Sequence, residues 1–260
     1  MTPYSDPLDR PDLDNDDELE GTLLSRRRAL RLVGLGGLSL SGLGLGAGTL
    51  LAGSRASAAS TLPGCVVRPA KTVGPYFKEE HLERADLRAD SKTGKVQDGL
   101  PLTLTFRVSR VGVGGCAPLP GLTVDLWQAN AQGVYSDIGG EHTRGQDFLR
   151  GHQLTDARGQ ATFRTIYPGW YTSRAVHLHF KVRQIVGGQV RSSFTSQLFF
   201  DDALTDQVVK LPAYARPSAR KVRNANDSIY GNGGHQLELV LKGDLQQGYT
   251  AVFDLGMNLK

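Results

Sequence analysis

The sequence predicts an all-β protein, an antiparallel β-sandwich whose long loops shape a site. Three observations carry that expectation. Seven short segments alternate apolar and polar residues with a period of two, as half-buried strands do. Glycine-rich turns such as GVGGC, DARGQ, VGGQ and YGNGG stand between them. No long stretch shows the 3.6-residue spacing of a helix that buries one face.

In chain order, residues 102–108 set Leu102, Leu104, Phe106 and Val108 on one parity against Thr103, Thr105 and Arg107. Residues 122–127 repeat this with Leu122, Val124 and Leu126, and residues 161–166 with Ala161 and Phe163. Residues 175–183 alternate over a longer run: Val176, Leu178, Phe180 and Val182 oppose His177, His179, Lys181 and Arg183. Residues 193–200, 237–241 and 250–255 complete the set. Residues 75–100 and 203–230 are polar, irregular excursions, long enough to read as site-forming loops. Nothing divides this portion, so residues 59–260 read as one domain.

The first 58 residues are of another kind. Residues 1–24 hold eight acidic residues and a single basic one, Arg10. That composition offers too little apolar surface to fold. SRRRALR, Ser25 to Arg31, then heads an uncharged stretch, residues 32–54, that runs toward Ala56-Ser57-Ala58. A basic head, an apolar middle and a small-residue site make a secretory signal, and the paired arginines resemble the twin-arginine export type. The expectation is an exported protein, periplasmic or extracellular, with the twin-arginine export machinery as a partner. A membrane anchor through the uncleaved signal is the alternative.

The formal charge of the chain is +4. Its basic residues are scattered with no aromatic-interleaved run, so no nucleic acid partner is expected. The two cysteines, Cys65 and Cys116, both fall in the exported portion and are expected to pair in an oxidising compartment.

Two of the six histidines, His177 and His179, share the polar parity of one strand. Residues i and i+2 sit about 7 Å apart at Cα, so two imidazoles there can converge on one ion. The residues by themselves leave the rest of the set open. His142, His152 or His235 could complete a three-histidine zinc site, with His81 a fourth candidate. Tyr135 and Tyr171 each sit beside a glycine-containing turn at a strand end and could bring phenol oxygens instead.

WQANAQGVYSD, FLRGHQLTD, IYPGWYTSRAVHLHF and TSQLFF resemble, in that order, motifs of the intradiol ring-cleavage dioxygenases. That family includes protocatechuate 3,4-dioxygenase and catechol 1,2-dioxygenase. The likeness runs from CVVRPAKTVGPYF at Cys65 to the last strand and is nearest to short, exported, single-domain members. It implies a non-haem ferric ion, Fe(3+), held by Tyr135, Tyr171, His177 and His179. It also implies that Arg174 stabilises charge on the substrate ring and that Gln197 holds Arg174 or bonds near the substrate. Tyr171 would leave the metal and accept a proton, and Trp127 would pack nearby. The implied substrates are a catechol and O2, the implied product a cis,cis-muconate. Tyr76 and the loop of residues 137–147 are expected at the mouth. Trp170, between the Pro-Gly turn and Tyr171, departs from the family pattern, and no N-terminal helical region of the kind that catechol-cleaving members dimerise through is legible. Substrate choice and oligomeric state are therefore not implied.

The residue types suit that chemistry. A phenol with a free pKa of about 10 gives up its proton to a trivalent ion. Two phenolates and a hydroxide balance three positive charges, and such an oxygen-rich set disfavours zinc. Two other readings stand beside this one: a His-x-His zinc or cupin-like enzyme using His152 or His235, and an exported β-sandwich binding module without catalysis.

Overall fold

The computed structural model of the protein describes residues 66–112, 115–139 and 142–259. The acidic leader, the export signal and Cys65 lie outside the described residues; Cys116 is not a free thiol.

Among the described residues nine strands form two sheets. They are β1 Pro101–Gly112, β2 Gly115–Pro118, β3 Thr123–Trp127, β4 Arg150–Leu154, β5 Gln160–Ile166, β6 His177–Val186, β7 Gln189–Phe199, β8 Lys242–Asp244 and β9 Gly248–Met257. One sheet has the order β4-β3-β6-β7 and is antiparallel throughout. The other has the order β2-β1-β9-β8, with β5 paired to the first half of β1. The all-β sandwich is as expected, but β9 lies parallel to β1, which makes this second sheet mixed. The chain visits the first sheet between β1 and β9, and a connection of that length permits a parallel pair.

The core follows from the alternation. Leu102, Leu104, Phe106 and Val108 of β1 are buried, as are Ala251, Phe253 and Leu255 of β9. Phe180 reaches from β6 to within 5.0 Å of the Phe106 ring and 5.5 Å of the Phe253 ring, centroid to centroid. Each such aromatic pair contributes about 0.5–1.5 kcal/mol beyond its area. The even-numbered residues of β6 therefore face the other sheet, and His177 and His179 face away from it. Long loops cover that second face, and main-chain bonds fix them to the strands: Lys71 N donates to Thr195 O at 3.0 Å, and Arg84 N to His152 O at 3.0 Å.

Three details depart from the sequence reading. Residues 237–241 are not a strand: a 3-10 turn, Gly234–Leu237, runs into an extended piece that meets β7 at one bridge, Phe199 with Glu238. Leu237 and Leu239 are buried as anchors, which accounts for the alternation without a ladder. The excursion after residue 200 contains two short helices, α1 Asp202–Val208 and α2 Ser228–Gly231. Asp201 caps α1 by accepting from Leu204 N at 2.8 Å. Finally, β2, β4 and β8 carry no apolar period and exist because a neighbouring strand pairs with them.

Candidate functional site

The register of the first sheet builds the site's floor. Trp127 of β3, His179 of β6 and Gln197 of β7 are direct cross-strand partners and so form one row on one face. Trp127 stacks on the His179 ring, 5.0 Å between centroids and 10° between planes. His177 begins β6, so its ring projects from the same face at the sheet's edge toward the loops.

Two turns bring the tyrosines to that face. After β3 the chain folds at Asn130, whose side-chain oxygen accepts from Gln132 N and Val134 N, both at 3.0 Å. Gly133 follows with φ +77°, and Tyr135 comes two residues later. After β5 comes Pro168-Gly169-Trp170-Tyr171. The two turns press backbone on backbone: Gly169 N donates to Asn130 O at 3.0 Å. A Cβ on Gly169 would stand 2.3 Å from Ala131 O, and one on Gly133 would stand 2.0 Å from Trp170 O. Glycine at both positions is what lets the turns meet and set Tyr135 and Tyr171 side by side, ring centroids 6.0 Å apart.

All four side chains are buried: Tyr135 is 1% exposed, Tyr171 9%, His177 2% and His179 1%. His177 Nε2 lies 3.0 Å from His179 Nε2 and 3.2 Å from the Tyr171 oxygen. Tyr135 lies 6.2 Å from His179, ring to ring. The four residues assigned by resemblance to the metal therefore meet at one place.

Hydrogen bonding fixes the protons. His177 Nδ1 is 2.7 Å from Ala175 O, an acceptor, so Nδ1 carries the hydrogen and Nε2 keeps its lone pair. Burial, and after it the nearby charges including Arg174, hold both imidazoles well below the usual histidine range, so both are neutral. Burial likewise pushes the Tyr135 phenol well above its ordinary value in the absence of a cation. Neutral imidazoles and phenol oxygens whose lone pairs converge among buried side chains fit a hard, highly charged cation that deprotonates the phenols on binding. Among the described residues no three His, Cys, Asp or Glu side chains cluster as metal ligands, so the set depends on the tyrosines. His152 lies on β4 opposite Asp125, and His235 is exposed on the 3-10 turn. Neither supplies the third histidine that the zinc or cupin-like alternative needs.

The structure places Gln197 opposite His179 and Arg174 against Gln197. Arg174 Nη2 donates to Gln197 Oε1 at 2.7 Å, and Gln197 Nε2 donates to Thr72 O at 3.1 Å. Gln197 thus holds the guanidinium. Tyr76 stacks on Tyr135 with centroids 4.3 Å apart, in an aromatic wall with Phe77, which packs edge-on against Trp127. In the loop of residues 137–147, the Asp137 carboxylate accepts from Gly145 N at 2.7 Å. Asp147 points inward to Ser91 N at 2.7 Å, so it anchors the loop rather than lining a mouth.

Two functional side chains escaped the sequence reading. Asp227 is a buried carboxylate that accepts from Arg174 Nε at 2.8 Å, and its position 53 residues downstream gave no signal beyond that of a helix cap. Arg150 is 2% exposed and donates to Ser136 Oγ at 2.7 Å, Ser136 O at 2.5 Å and Tyr76 O at 2.7 Å. It thereby ties together the main chains of the stacked Tyr76–Tyr135 pair. FLRG contains it, but nothing local distinguishes it from an exposed strand arginine.

Residues 72–242 match the family model described as Dioxygenase. Among curated proteins the chain is 34% identical over 137 residues to the protocatechuate 3,4-dioxygenase beta chain of Burkholderia cepacia, covering 48% of this chain and 56% of that one. It is 33% identical over 136 residues to the chlorocatechol 1,2-dioxygenase of Pseudomonas sp. strain P51, covering 45% and 50%. The match thus spans about half the length of those relatives. The intradiol ring-cleavage dioxygenase of Tetranychus urticae superposes with a TM-score of 0.63 at 24% identity over 75% of this chain and 95% of that one, which shows a shared fold. The dioxygenase domain of a dioxygenase carbohydrate-binding protein fusion from Streptomyces sp. SirexAA-E gives 0.53 at 30% identity over 75% and 100%. With a family model covering most of its described residues and a two-sheet fold shared with these structures, the chain belongs to the intradiol ring-cleavage dioxygenases.

Proposed function

We propose that the protein is a non-haem Fe(III) dioxygenase that opens a catecholic ring with O2 to give a cis,cis-muconate-type product. The observation that carries this reading is the convergence of His177 Nε2, His179 Nε2 and the Tyr171 oxygen, within 3.2 Å from one to the next, beside Tyr135. A ferric ion held by these four side chains would supply Lewis acidity and a template for the diol.

The chain's own residues do the rest. Ala175 O keeps the His177 tautomer that leaves Nε2 free to ligate. Tyr171, the most exposed of the four, would as a phenolate take a proton from an incoming catechol hydroxyl. Arg174, held by Gln197, offers a fixed cation to the negative charge that gathers on the ring as it is attacked. Trp127, Tyr76 and Phe77 exclude water from one side. In the reaction the bond between the two hydroxyl-bearing carbons breaks, both atoms of O2 enter the product, and each of those carbons ends as a carboxylate. By the same reading the protein works outside the cytoplasm, carried by the twin-arginine machinery on the motif in residues 25–58.

The test is a purified sample assayed for iron, visible absorption and oxygen uptake with catechol, protocatechuate and hydroxyquinol. Stoichiometric iron, a tyrosinate-to-Fe(III) charge-transfer band and uptake with at least one diol support the proposal. A colourless, iron-replete protein overturns it.

A further inference from the structure

Asp227 stands out among the buried polar groups that the reading above leaves without a role. Its side chain is fully buried, and its two oxygens accept five hydrogen bonds. Oδ2 takes Arg174 Nε at 2.8 Å and Ala175 N at 2.8 Å. Oδ1 takes Ile229 N at 2.9 Å, Tyr230 N at 3.0 Å and, more distantly, Arg174 Nη2 at 3.4 Å. The carboxylate therefore joins the start of α2 to the segment leading into the histidine strand. Lys71 grips the far side of that turn, its Nζ donating to Ile229 O at 2.5 Å and Asn232 O at 2.6 Å.

A structural helix cap would use the Ile229 and Tyr230 amides and stop there. Asp227 goes further. Together with Gln197 it holds the guanidinium from two directions, at Nε and at Nη2, and planar guanidinium donors fix orientation as well as distance. Gln197 is the direct cross-strand partner of His179, so the guanidinium that it holds lies beside the cluster, and a rotation of this one side chain moves a fixed charge next to the candidate centre.

We infer that Asp227 is a positioning residue for Arg174: it aims the guanidinium at the histidine–tyrosine cluster and keeps it from turning toward another partner. This rests on the dioxygenase reading above. Asp227→Asn keeps the shape and one acceptor oxygen but loses the charge that orients Arg174. Losing a group that orients a reacting one costs on the order of 10- to 100-fold, and the loss is expected in the turnover number, with KM for catechol changing less. Iron content is expected to stay as in the wild type, because the hydrogen bonds of Asp227 go to Arg174, Ala175, Ile229 and Tyr230 and not to the four candidate ligands.

The decisive measurement is a double-mutant cycle with Arg174→Ala. If Asp227 acts through Arg174, Asp227→Asn adds little to the loss already caused by Arg174→Ala. A full multiplicative loss in the double variant, or a turnover number of wild-type size in Asp227→Asn, overturns the inference. The same cycle run on urea unfolding of the iron-free proteins gives a readout independent of activity, and additivity there also counts against the pairing. If the Asn variant does not fold, Asp227→Glu, which keeps the charge and displaces it by one methylene, takes its place in both cycles. A wild type without iron or oxygen uptake sinks the dioxygenase reading and this inference with it; an active wild type with an indifferent Asp227 sinks this inference only.

Discussion

His177 and His179 stand on β6, a strand hydrogen-bonded on both sides, whereas Tyr135 and Tyr171 stand on turns that belong to no ladder. The imidazoles receive their positions from the sheet: register with β3 and β7 puts His179 between Trp127 and Gln197, and no special residue is needed. The phenols have no such support. Their turns are held by two glycines at a backbone contact, by an Asn130 turn and by the Arg150 clamp. Half the site is thus a by-product of a stable sheet, and the other half depends on a few close contacts whose loss leaves the sandwich intact.

That contrast breaks most visibly at the ligands. His177→Ala and Tyr135→Phe are each expected to lower retained iron by more than about tenfold, the scale on which even outer partners of metal ligands act, while far-UV circular dichroism stays that of the wild type. Iron retention at the wild-type level in either variant would remove the basis for the ligand set.

Gly169→Ala tests the turns. The new methyl meets two carbonyl oxygens at 2.3 and 2.5 Å, neither of which is a flexible side-chain end. Destabilisation of about 1–3 kcal/mol, the usual cost of overpacking, is expected in urea unfolding, together with loss of the visible band. A coloured, fully stable variant would show that the contact between the turns is dispensable.

Arg150→Met sharpens the comparison further. Removing the guanidinium leaves Tyr76 O and Ser136 O without their charged donor, a loss of about 1.5–3 kcal/mol per such bond at most. Faster amide exchange is expected around residues 76–77 and 135–138, with the β6 amides unchanged. Equal acceleration in both places would mean that strand and turns are not separately held.

Acid tests the imidazoles. Burial holds both in the neutral form in the folded, iron-free protein, while in the unfolded chain they take up protons near the ordinary value of about 6.5. Below that pH the unfolded state binds more protons, so stability falls as pH drops, by at most about 1.4 kcal/mol per pH unit for each imidazole. A urea midpoint that stays flat from pH 7 to pH 5 in the iron-free protein, but not in a His177→Ala, His179→Ala variant, would contradict the buried neutral pair. The smallest effect belongs to the far end of the same strand. Val186 and Val190, both 52% exposed at the β6–β7 hairpin tip, are expected to tolerate Thr within about 0.5 kcal/mol and with no change in iron.

Much of the fold was legible where one face of a strand meets core and the other meets solvent, as in β1 and β9. Residues 237–241 misled because two buried leucines spaced by two imitate a strand even when one bridge is all that forms. β2, β4 and β8 were invisible because short polar strands are made by their partners, not by their own pattern. In the site, His177 and His179 were legible from periodicity, and the two tyrosines, Arg174 and Gln197 through the family resemblance. Asp227 and Arg150 were not, because a buried charge is recognised by its partners, and those partners lie far away in sequence.

From its order of residues the chain determined that two histidines share one face of a strand, since alternation is a property of extended backbone and needs no distant partner. Tertiary structure decided what stands opposite them: which phenols arrive, which carboxylate turns Arg174 and which cation fixes the tyrosine turns. Those meetings depend on strand register and on backbone contacts across tens of residues, and a local pattern carries no information about either.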